Sequence, residues 1–222
     1  MSRHADYLPH GVIPAVLLPF ADDLAVDEKS FRKHLREVAA TPNLSAITVN
    51  AHSTEVASCS FEEQRRVLDI ARDEIGVRLP IVNGVWADGS LEAARIARMA
   101  EDGGASALLL FPPAPFTLGQ SPAMAVEHSR RIADASGLPI IAFQYPLATG
   151  QGYQRETLLK MIEEVPTIRP SRTGRAMCRS TRCTSASFRA STRRSTCSRP
   201  TARGSSPRLF SAATASSPAA AA

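Results

Sequence analysis

Leu79-Pro-Ile-Val-Asn-Gly84 and Ala107-Leu-Leu-Leu-Phe111 are two short apolar runs, and between them lies a segment that opens at Ser90 and stops at Gly103-Gly104. Apolar residues recur in that segment at helical spacing, at Ala93, Ile96, Ala97 and Ala100. A short apolar run favours a buried strand, and glycine is a common residue just past the end of a helix. The stretch therefore predicts a strand–helix–strand unit with both strands buried.

The same alternation continues towards both ends of the chain. Three further apolar runs predict strands at Gly11–Phe20, Ala46–Asn50 and Leu138–Tyr145. Helices are predicted after capping signals at Asp27, at the Ser60/Glu63 capping box and at Ser121-Pro122, and again from Gln154 to Val165. Strands that are apolar on both faces and separated by helices indicate a parallel sheet covered by helices.

Two folds have this rhythm, in which strands start about every 30 residues. A doubly wound open sheet would need a glycine-rich phosphate loop after the first strand, and Phe20-Ala-Asp-Asp23 does not match G-x-G-x-x-G. The favoured fold class is therefore α/β, a (β/α)8 TIM barrel. Residues 1–168 supply only about five βα units, so the barrel is predicted to be incomplete.

The chain changes character after Ile168. Residues 169–222 are mostly Ser, Thr, Arg, Ala and Pro, with 11 arginines and no acidic residue. Residues 1–168 carry a net charge of −6, so the +5 of the whole chain comes from this tail. A segment of this composition buries too little apolar surface to offset the entropy of ordering it. We predict two parts, a partial barrel at 1–168 and a disordered, non-native tail at 169–222.

Composition also narrows the function classes. No apolar run reaches the ~18 residues that a membrane helix requires, and no signal peptide is recognisable, so a cytoplasmic location without membrane contact is expected. The spacing of the four cysteines matches no zinc signature, and no metal or cofactor is predicted.

Several motifs, in order, resemble the dihydrodipicolinate synthase / N-acetylneuraminate lyase family. Gly11–Phe20 is similar to its opening strand G-x-x-x-A-x-x-T-P-F, and Asn50-Ala-His-Ser-Thr-Glu55 lies where the family has G-[ST]-[TN]-G-E. Ser60-Phe-Glu-Glu-Gln-Arg65 resembles L-[ST]-x-E-E-R, and Phe143-Gln-Tyr-Pro146 resembles Y-N-x-P. The resemblance covers residues 11–168 and implies a TIM-barrel lyase of the aldolase type.

The resemblance implies Schiff-base chemistry on pyruvate or another small 2-oxo acid. A lysine at the end of the sixth strand forms the iminium, a tyrosine after the fifth strand relays protons, and the loop after the second strand holds the substrate carboxylate. Ser53 matches the second hydroxyl position of that loop, His52 replaces the first, and Thr54 replaces a glycine. Phe143 occupies the tyrosine position, and Tyr145, on the same side of the strand, could supply the hydroxyl. Intact relatives are expected to be homo-oligomers.

The Schiff-base lysine is absent. The family continues roughly A-I-K-D-x-[ST]-G-D where this chain has Arg169-Pro-Ser-Arg-Thr-Gly-Arg-Ala-Met177. Suitable codons for those residues, read from the third base of each codon, encode Ala-Ile-Lys-Asp-Trp-Ser-Gly-Asp. The lysine codon would straddle Ser171 and Arg172. We interpret the tail as the frameshift product of a GC-rich gene, and predict that the chain as written is truncated in its native sequence and inactive.

Two other functions remain open. The chain could be a non-catalytic paralogue. Arginine-rich segments also bind nucleic acid through phosphate contacts, so the basic tail could be a nucleic-acid-binding extension. Only Phe188 and Phe210 are interleaved as aromatic residues in the tail, and we therefore expect no nucleic-acid partner.

Overall fold

The structure, a computed structural model, describes His4 and residues 6–169. Five α-helices and five strands alternate along this part of the chain. The helices are α1 Glu28–Ala39, α2 Phe61–Ile75, α3 Ser90–Asp102, α4 Pro122–Ala135 and α5 Arg155–Glu164. The strands are β1 Ile47–Val49, β2 Ile81–Val85, β3 Ala107–Leu110, β4 Ile140–Ala142 and β5 Ile168–Arg169.

The strands form one parallel sheet in the order β1-β2-β3-β4-β5. Each strand lies beside its predecessor in sequence, with no reversal of strand order. A doubly wound sheet has such a reversal at its switch point, whereas a barrel adds each strand to the same side. The topology thus supports the barrel.

Apolar side chains cover both faces of the sheet. The larger cluster packs the strands against the helices and includes Phe31, Leu68, Ile96 and Leu110. A smaller cluster on the other face contains Tyr7, Ala46, Val82, Ala107 and Ile141. Side chains alternate between faces along a strand, so the smaller cluster corresponds to the interior layer of a barrel.

The predicted helix starts are confirmed. Asp27 accepts a hydrogen bond from the backbone N–H of Ser30, and Ser121 accepts one from that of Met124. Ser60 and Glu63 form the predicted capping box, in which each side chain bonds to the other residue's backbone N–H. Such caps satisfy the backbone donors that a helix start leaves free.

The prediction of a regular first strand at Gly11–Phe20 is wrong. Residues 11–20 make only isolated bridges, two of them parallel to the β1 region at Val12–Leu44 and Ala15–Thr48 and one antiparallel at Phe20–Val26. Pro14 and Pro19 interrupt the segment, and proline has no N–H to donate to a ladder. The fifth strand of the sheet is instead β5, where a sixth barrel strand would begin.

Arg169, the first residue of the predicted tail at 169–222, lies in β5, and the rest of that tail lies outside the described residues. Within the described part, no helix is both long enough and apolar enough to cross a membrane.

Candidate active site

Aromatic side chains follow the carboxyl ends of four consecutive strands. His52 follows β1, Trp86 follows β2, Phe111 follows β3, and Phe143 and Tyr145 follow β4. Because these strands are parallel neighbours, their carboxyl ends meet at one edge of the sheet, which is where barrel enzymes carry their active sites.

The five rings form one cluster, which we call the aromatic rim, with His52 in contact with the other four. The imidazole centroid lies 4.3 Å from that of Phe111 and 4.9 Å from that of Trp86. It lies 5.6 Å from the ring of Tyr145 and 5.9 Å from that of Phe143. Most of these pairs are tilted or edge-on, the arrangement that aromatic quadrupoles favour.

His52 and Tyr145 are joined by a hydrogen bond between Nε2 and the phenolic hydroxyl. Partial burial lowers the pKa of His52 below its usual value and raises the pKa of Tyr145 above its usual value. Both shifts favour the neutral forms, because desolvation penalises charge. At neutral pH the pair is therefore an uncharged imidazole and an uncharged phenol, in which the phenol keeps its proton and donates the hydrogen bond to Nε2.

The turn after β1 positions the predicted carboxylate-binding residues. The buried Thr54 hydroxyl accepts a hydrogen bond from the N–H of Ala51 at 2.5 Å and donates one to the carbonyl of Ala51 at 2.9 Å. Thr54 thus closes a short 3₁₀ turn at His52–Thr54. The Ser53 hydroxyl is buried and has no hydrogen-bond partner among the described residues. A buried hydroxyl without a partner is costly, and Ser53 has the hydroxyl in this turn whose hydrogen-bonding capacity is unused.

The turn forms without glycine. Left-handed backbone falls on Asn50, with φ 53°, and on Glu55, with φ 54°. Ala51 and Thr54, which stand where the family has glycines, do not have positive φ. Asparagine tolerates this region better than most residues, which accounts for Asn50 at the start of the turn.

Two buried asparagines, which the motif analysis did not single out, hold the turn against β2. Asn50 Nδ2 donates to Asn83 Oδ1 at 2.8 Å and to the carbonyl of Gln64 at 2.9 Å. A Cβ on Gly84 would lie 1.8 Å from the carbonyl oxygen of Asn50, so only glycine allows this approach. The available signal was a polar amide at the end of each of two otherwise apolar runs.

A glutamine also missed at the sequence level fixes the segment that carries Tyr145. Gln144 Nε2 donates to the carbonyls of Tyr145 and Tyr153, at 2.9 and 3.1 Å, and Gln144 Oε1 accepts from the N–H of Tyr153 at 3.2 Å. Gly152 packs against this clamp, where a Cβ would lie 2.4 Å from the carbonyl oxygen of Tyr145. The clamp ties the chain after β4 to the start of α5.

The three lysines of the chain lie away from the rim. Lys29 and Lys33 are exposed on α1, and Lys160 is exposed on α5. Lys33 and Lys160 form ion pairs within their own helices. The segment that would carry the Schiff-base lysine begins just after β5, outside the described residues. Among the described residues, no three His, Cys, Asp or Glu side chains are grouped so as to hold a metal ion.

Comparison with known proteins places the chain in the family that its motifs resemble. The sequence model of the Dihydrodipicolinate synthetase family matches residues 8–177. The 4-hydroxy-tetrahydrodipicolinate synthase of Salinibacter ruber is 32% identical over 163 residues, which cover 73% of this chain and 53% of the relative. That of Methanothrix thermoacetophila is 31% identical over 153 residues, covering 69% and 50%. The chain thus spans about half the length of the curated relatives it matches.

The solved structure of dihydrodipicolinate synthase from Aquifex aeolicus superposes with a TM-score of 0.67. It shares 23% sequence identity, and the match covers 75% of this chain and 56% of that one. At this identity the likeness concerns the fold. The described residues have the fold of the first part of a (β/α)8 barrel, as the sequence analysis predicted.

Proposed function

Because the chain belongs to the dihydrodipicolinate synthetase family of lyases, we propose that residues 8–169 are the first part of an enzyme that forms a Schiff base with pyruvate or another small 2-oxo acid. The observation that carries the proposal is the meeting of an unpartnered Ser53 hydroxyl and a His52–Tyr145 pair at the carboxyl-end edge of the sheet, after β1 and β4. These groups have the two functions that this chemistry needs besides an amine.

The first function is to hold the substrate carboxylate. Ser53 supplies a hydroxyl donor, whereas the backbone N–H groups of Ala51, Thr54 and Glu55 are already used in closing the turn. A carboxylate accepts such bonds strongly because it is charged. Thr54 itself supports the turn, since both its hydrogen-bonding positions are used by Ala51.

The second function is to move protons. A lysine amine attacks the 2-oxo carbon, water leaves, and the resulting iminium withdraws electrons from the neighbouring carbon. The hydroxyl oxygen that leaves as water must gain a proton, and the neighbouring carbon must lose or gain one. Tyr145 takes this role in place of Phe143, and the neutral His52 accepts or returns the phenolic proton. The arrangement differs from the family pattern and indicates a divergent member.

The aromatic rim indicates what kind of second substrate, a carbonyl compound, the site would accept. Trp86, Phe111 and Phe143 present ring surfaces beside the His52–Tyr145 pair and offer no charged group. A carbonyl substrate with an apolar or aromatic substituent would bury its surface there, whereas a charged substituent would lose its hydration.

The chain as written should have no Schiff-base activity. Only a primary amine forms an iminium that can later hydrolyse, and the three lysines are exposed on α1 and α5. The shifted frame across Ser171 and Arg172 would encode a lysine directly after β5. β5 pairs with β4 and stands where the sixth barrel strand would begin. We attribute the tail from about residue 170 to a frame change, and expect the restored protein, like intact relatives, to assemble as a homo-oligomer.

The test is reduction with borohydride in the presence of pyruvate, followed by intact-mass and peptide analysis. The chain as written should gain no adduct, and a version with the frame restored by one base should gain one on the lysine of Ala-Ile-Lys-Asp. The matched control is the restored version with that lysine codon changed to arginine, which keeps the charge and should gain nothing.

The outcomes separate the alternatives. An adduct on the chain as written would place the nucleophile elsewhere. No adduct on the restored version, despite a folded barrel, would favour the non-catalytic paralogue. Salt-sensitive binding of RNA, lost on removal of residues 170–222, would favour the basic tail as a nucleic-acid-binding segment.

A further inference from the structure

A groove on the outer surface, between α2 and α3, lies outside the rim, and four of its nine lining residues are arginines. It has a volume of about 360 Å³, within the range of small-molecule sites. Its wall residues are Phe61, Arg65, Asp69, Arg72, Arg95, Arg98 and Asp102, and Met99 and Gly103 complete the lining. Four arginines face two aspartates, so the lining has a net charge of +2. We call it the arginine groove.

The groove is built by two helical stripes. Arg65, Asp69 and Arg72 follow one another along α2 at intervals of four and three residues. Arg95, Arg98 and Asp102 do the same along α3 at intervals of three and four. Such spacings place side chains on one face of a helix, so each helix turns a largely basic face to the groove.

Two of the four guanidinium groups are held in place. Arg72 pairs with Asp69 at 3.1 Å and also donates to the carbonyl of Gly103 at 3.4 Å. Arg95 pairs with Glu92 at 3.2 Å, and its guanidinium carbon lies 3.6 Å from the centroid of the Phe61 ring. These contacts fix two positive groups on opposite walls.

The other two are free. Arg65 and Arg98 have no hydrogen bond, ion pair or ring contact with any of the described residues. Arginines elsewhere on the helices are paired, for example Arg66 with Glu28 at 2.6 Å and Arg130 with Glu164 at 3.1 Å. The two unpaired guanidinium groups thus line the same concave surface, one from each helix.

We propose that the arginine groove binds a small phosphoryl dianion or polyanion, such as a phosphorylated metabolite, between Arg65 and Arg98. The planar guanidinium matches phosphate oxygens in a bidentate manner, and two facing arginines can bind opposite sides of one group. Asp69 and Asp102 interrupt both basic stripes. A compact anion can be bound by Arg65 and Arg98 alone, whereas an extended acidic peptide would follow the stripes and be repelled by Asp69 and Asp102.

The test is a calorimetric titration of the full chain with inorganic pyrophosphate, at near-neutral pH and fixed moderate salt. Saturable binding is expected, and Arg65→Gln with Arg98→Gln should weaken it at least about tenfold, because both charge-assisted contacts are lost. The affinity of the Arg65→Lys with Arg98→Lys variant should lie between that of the unchanged chain and that of the glutamine variant, since the charge remains but the bidentate geometry does not.

The matched control is Arg130→Gln with Arg131→Gln, which removes the same charge from exposed positions on α4. The 11 arginines of residues 169–222 are common to all variants, so they add the same background. Affinity should change less than about threefold in the control. Equal losses in the two glutamine variants, or no loss in the first, would assign binding to general charge or to the tail and overturn the proposal. Tighter binding of an oligoglutamate peptide than of pyrophosphate, dependent on Arg65 and Arg98, would overturn it in favour of peptide docking.

Discussion

A single hydroxyl decides whether the rim can move protons. Phe143 has none, and Tyr145 has one that is hydrogen-bonded to the imidazole of His52. The ring centroids of Phe143 and Tyr145 are 4.9 Å apart, as expected for side chains two residues apart that emerge on the same side. A hydroxyl carried by residue 145 therefore lies at the same rim as one carried by residue 143 would.

In the frame-restored protein, Tyr145→Phe should lower kcat by about 10²–10⁴-fold, the usual contribution of a general acid–base group. The ring and its packing are kept, so the loss would be chemical and not structural. Tyr7→Phe is the control, because it removes a phenolic hydroxyl that contacts Ser45 at 3.4 Å and that does not belong to the aromatic rim. Steady-state kinetics with pyruvate decide the matter, and an unchanged kcat in Tyr145→Phe would assign the relay to another group.

At this scale, the sequence indicated which residues occupy the rim but not how they pair. Motif position placed His52 and Ser53 on a loop after a strand, whereas Tyr145 was predicted at the end of the strand Leu138–Tyr145 and lies after β4 in the structure. The His52–Tyr145 bond joins residues 93 apart in sequence, and no local pattern encodes such a contact. The Asn50–Asn83 bond escaped prediction for the same reason, since each amide is unremarkable within its own segment.

Helix starts were predictable because their signals are local. Asp27, Ser60 and Ser121 each bond to a backbone N–H three residues later, so sequence spacing alone specifies the geometry. Strand pairing depends on distant residues, and there the prediction failed for residues 11–20. The apolar content of that segment was sufficient to suggest a strand, but its prolines limit it to isolated bridges.

The contact between α3 and α4 contains a buried histidine whose protonation should affect stability. His128 Nδ1 lies 2.9 Å from Ser90 Oγ, and Nε2 is buried without a partner among the described residues. Burial lowers the pKa of His128 to about 4. The unfolded chain binds this proton below a pH of about 6.5 and the folded chain does not, so the stabilising contribution is present above that pH and is lost as the pH falls towards 4.

For the frame-restored protein, we expect the change from pH 7 to pH 4.5 to reduce the free energy of unfolding by about 2 kcal/mol through His128. His128→Gln should remove this component of the pH dependence, measured by urea unfolding at both values. Ser90→Ala should keep it, because burial and not the serine contact sets the low pKa. An identical pH dependence in wild type and His128→Gln would show that the imidazole is solvated.

At the scale of the whole molecule, the described residues form an open series of βα units. Sequence rhythm predicted the parallel sheet with helices, and the sequential strand order and the structural likeness confirm it. The interior layer of a barrel is closed only when the last strand pairs with the first. In the described residues β5 pairs with β4 alone, and the first segment reaches β1 by isolated bridges.

The chain as written should therefore self-associate. Among the described residues no strand pairs with the outer side of β5, and residues 11–20 are joined to the sheet by isolated bridges only. In that segment Val12 and Leu17 are each 61% exposed. Open sheet edges with exposed apolar side chains are templates for pairing with other chains. Light scattering coupled to gel filtration should show polydisperse aggregates for the chain as written and one defined species for the frame-restored version.

The control is the chain ending at residue 169, which lacks the arginine-rich segment but keeps both edges. Aggregation that persists in this control would assign the effect to the open barrel, whereas a monodisperse control would assign it to residues 170–222. A monomeric chain as written with one sharp thermal transition would contradict the prediction, because it would mean that both edges are already covered.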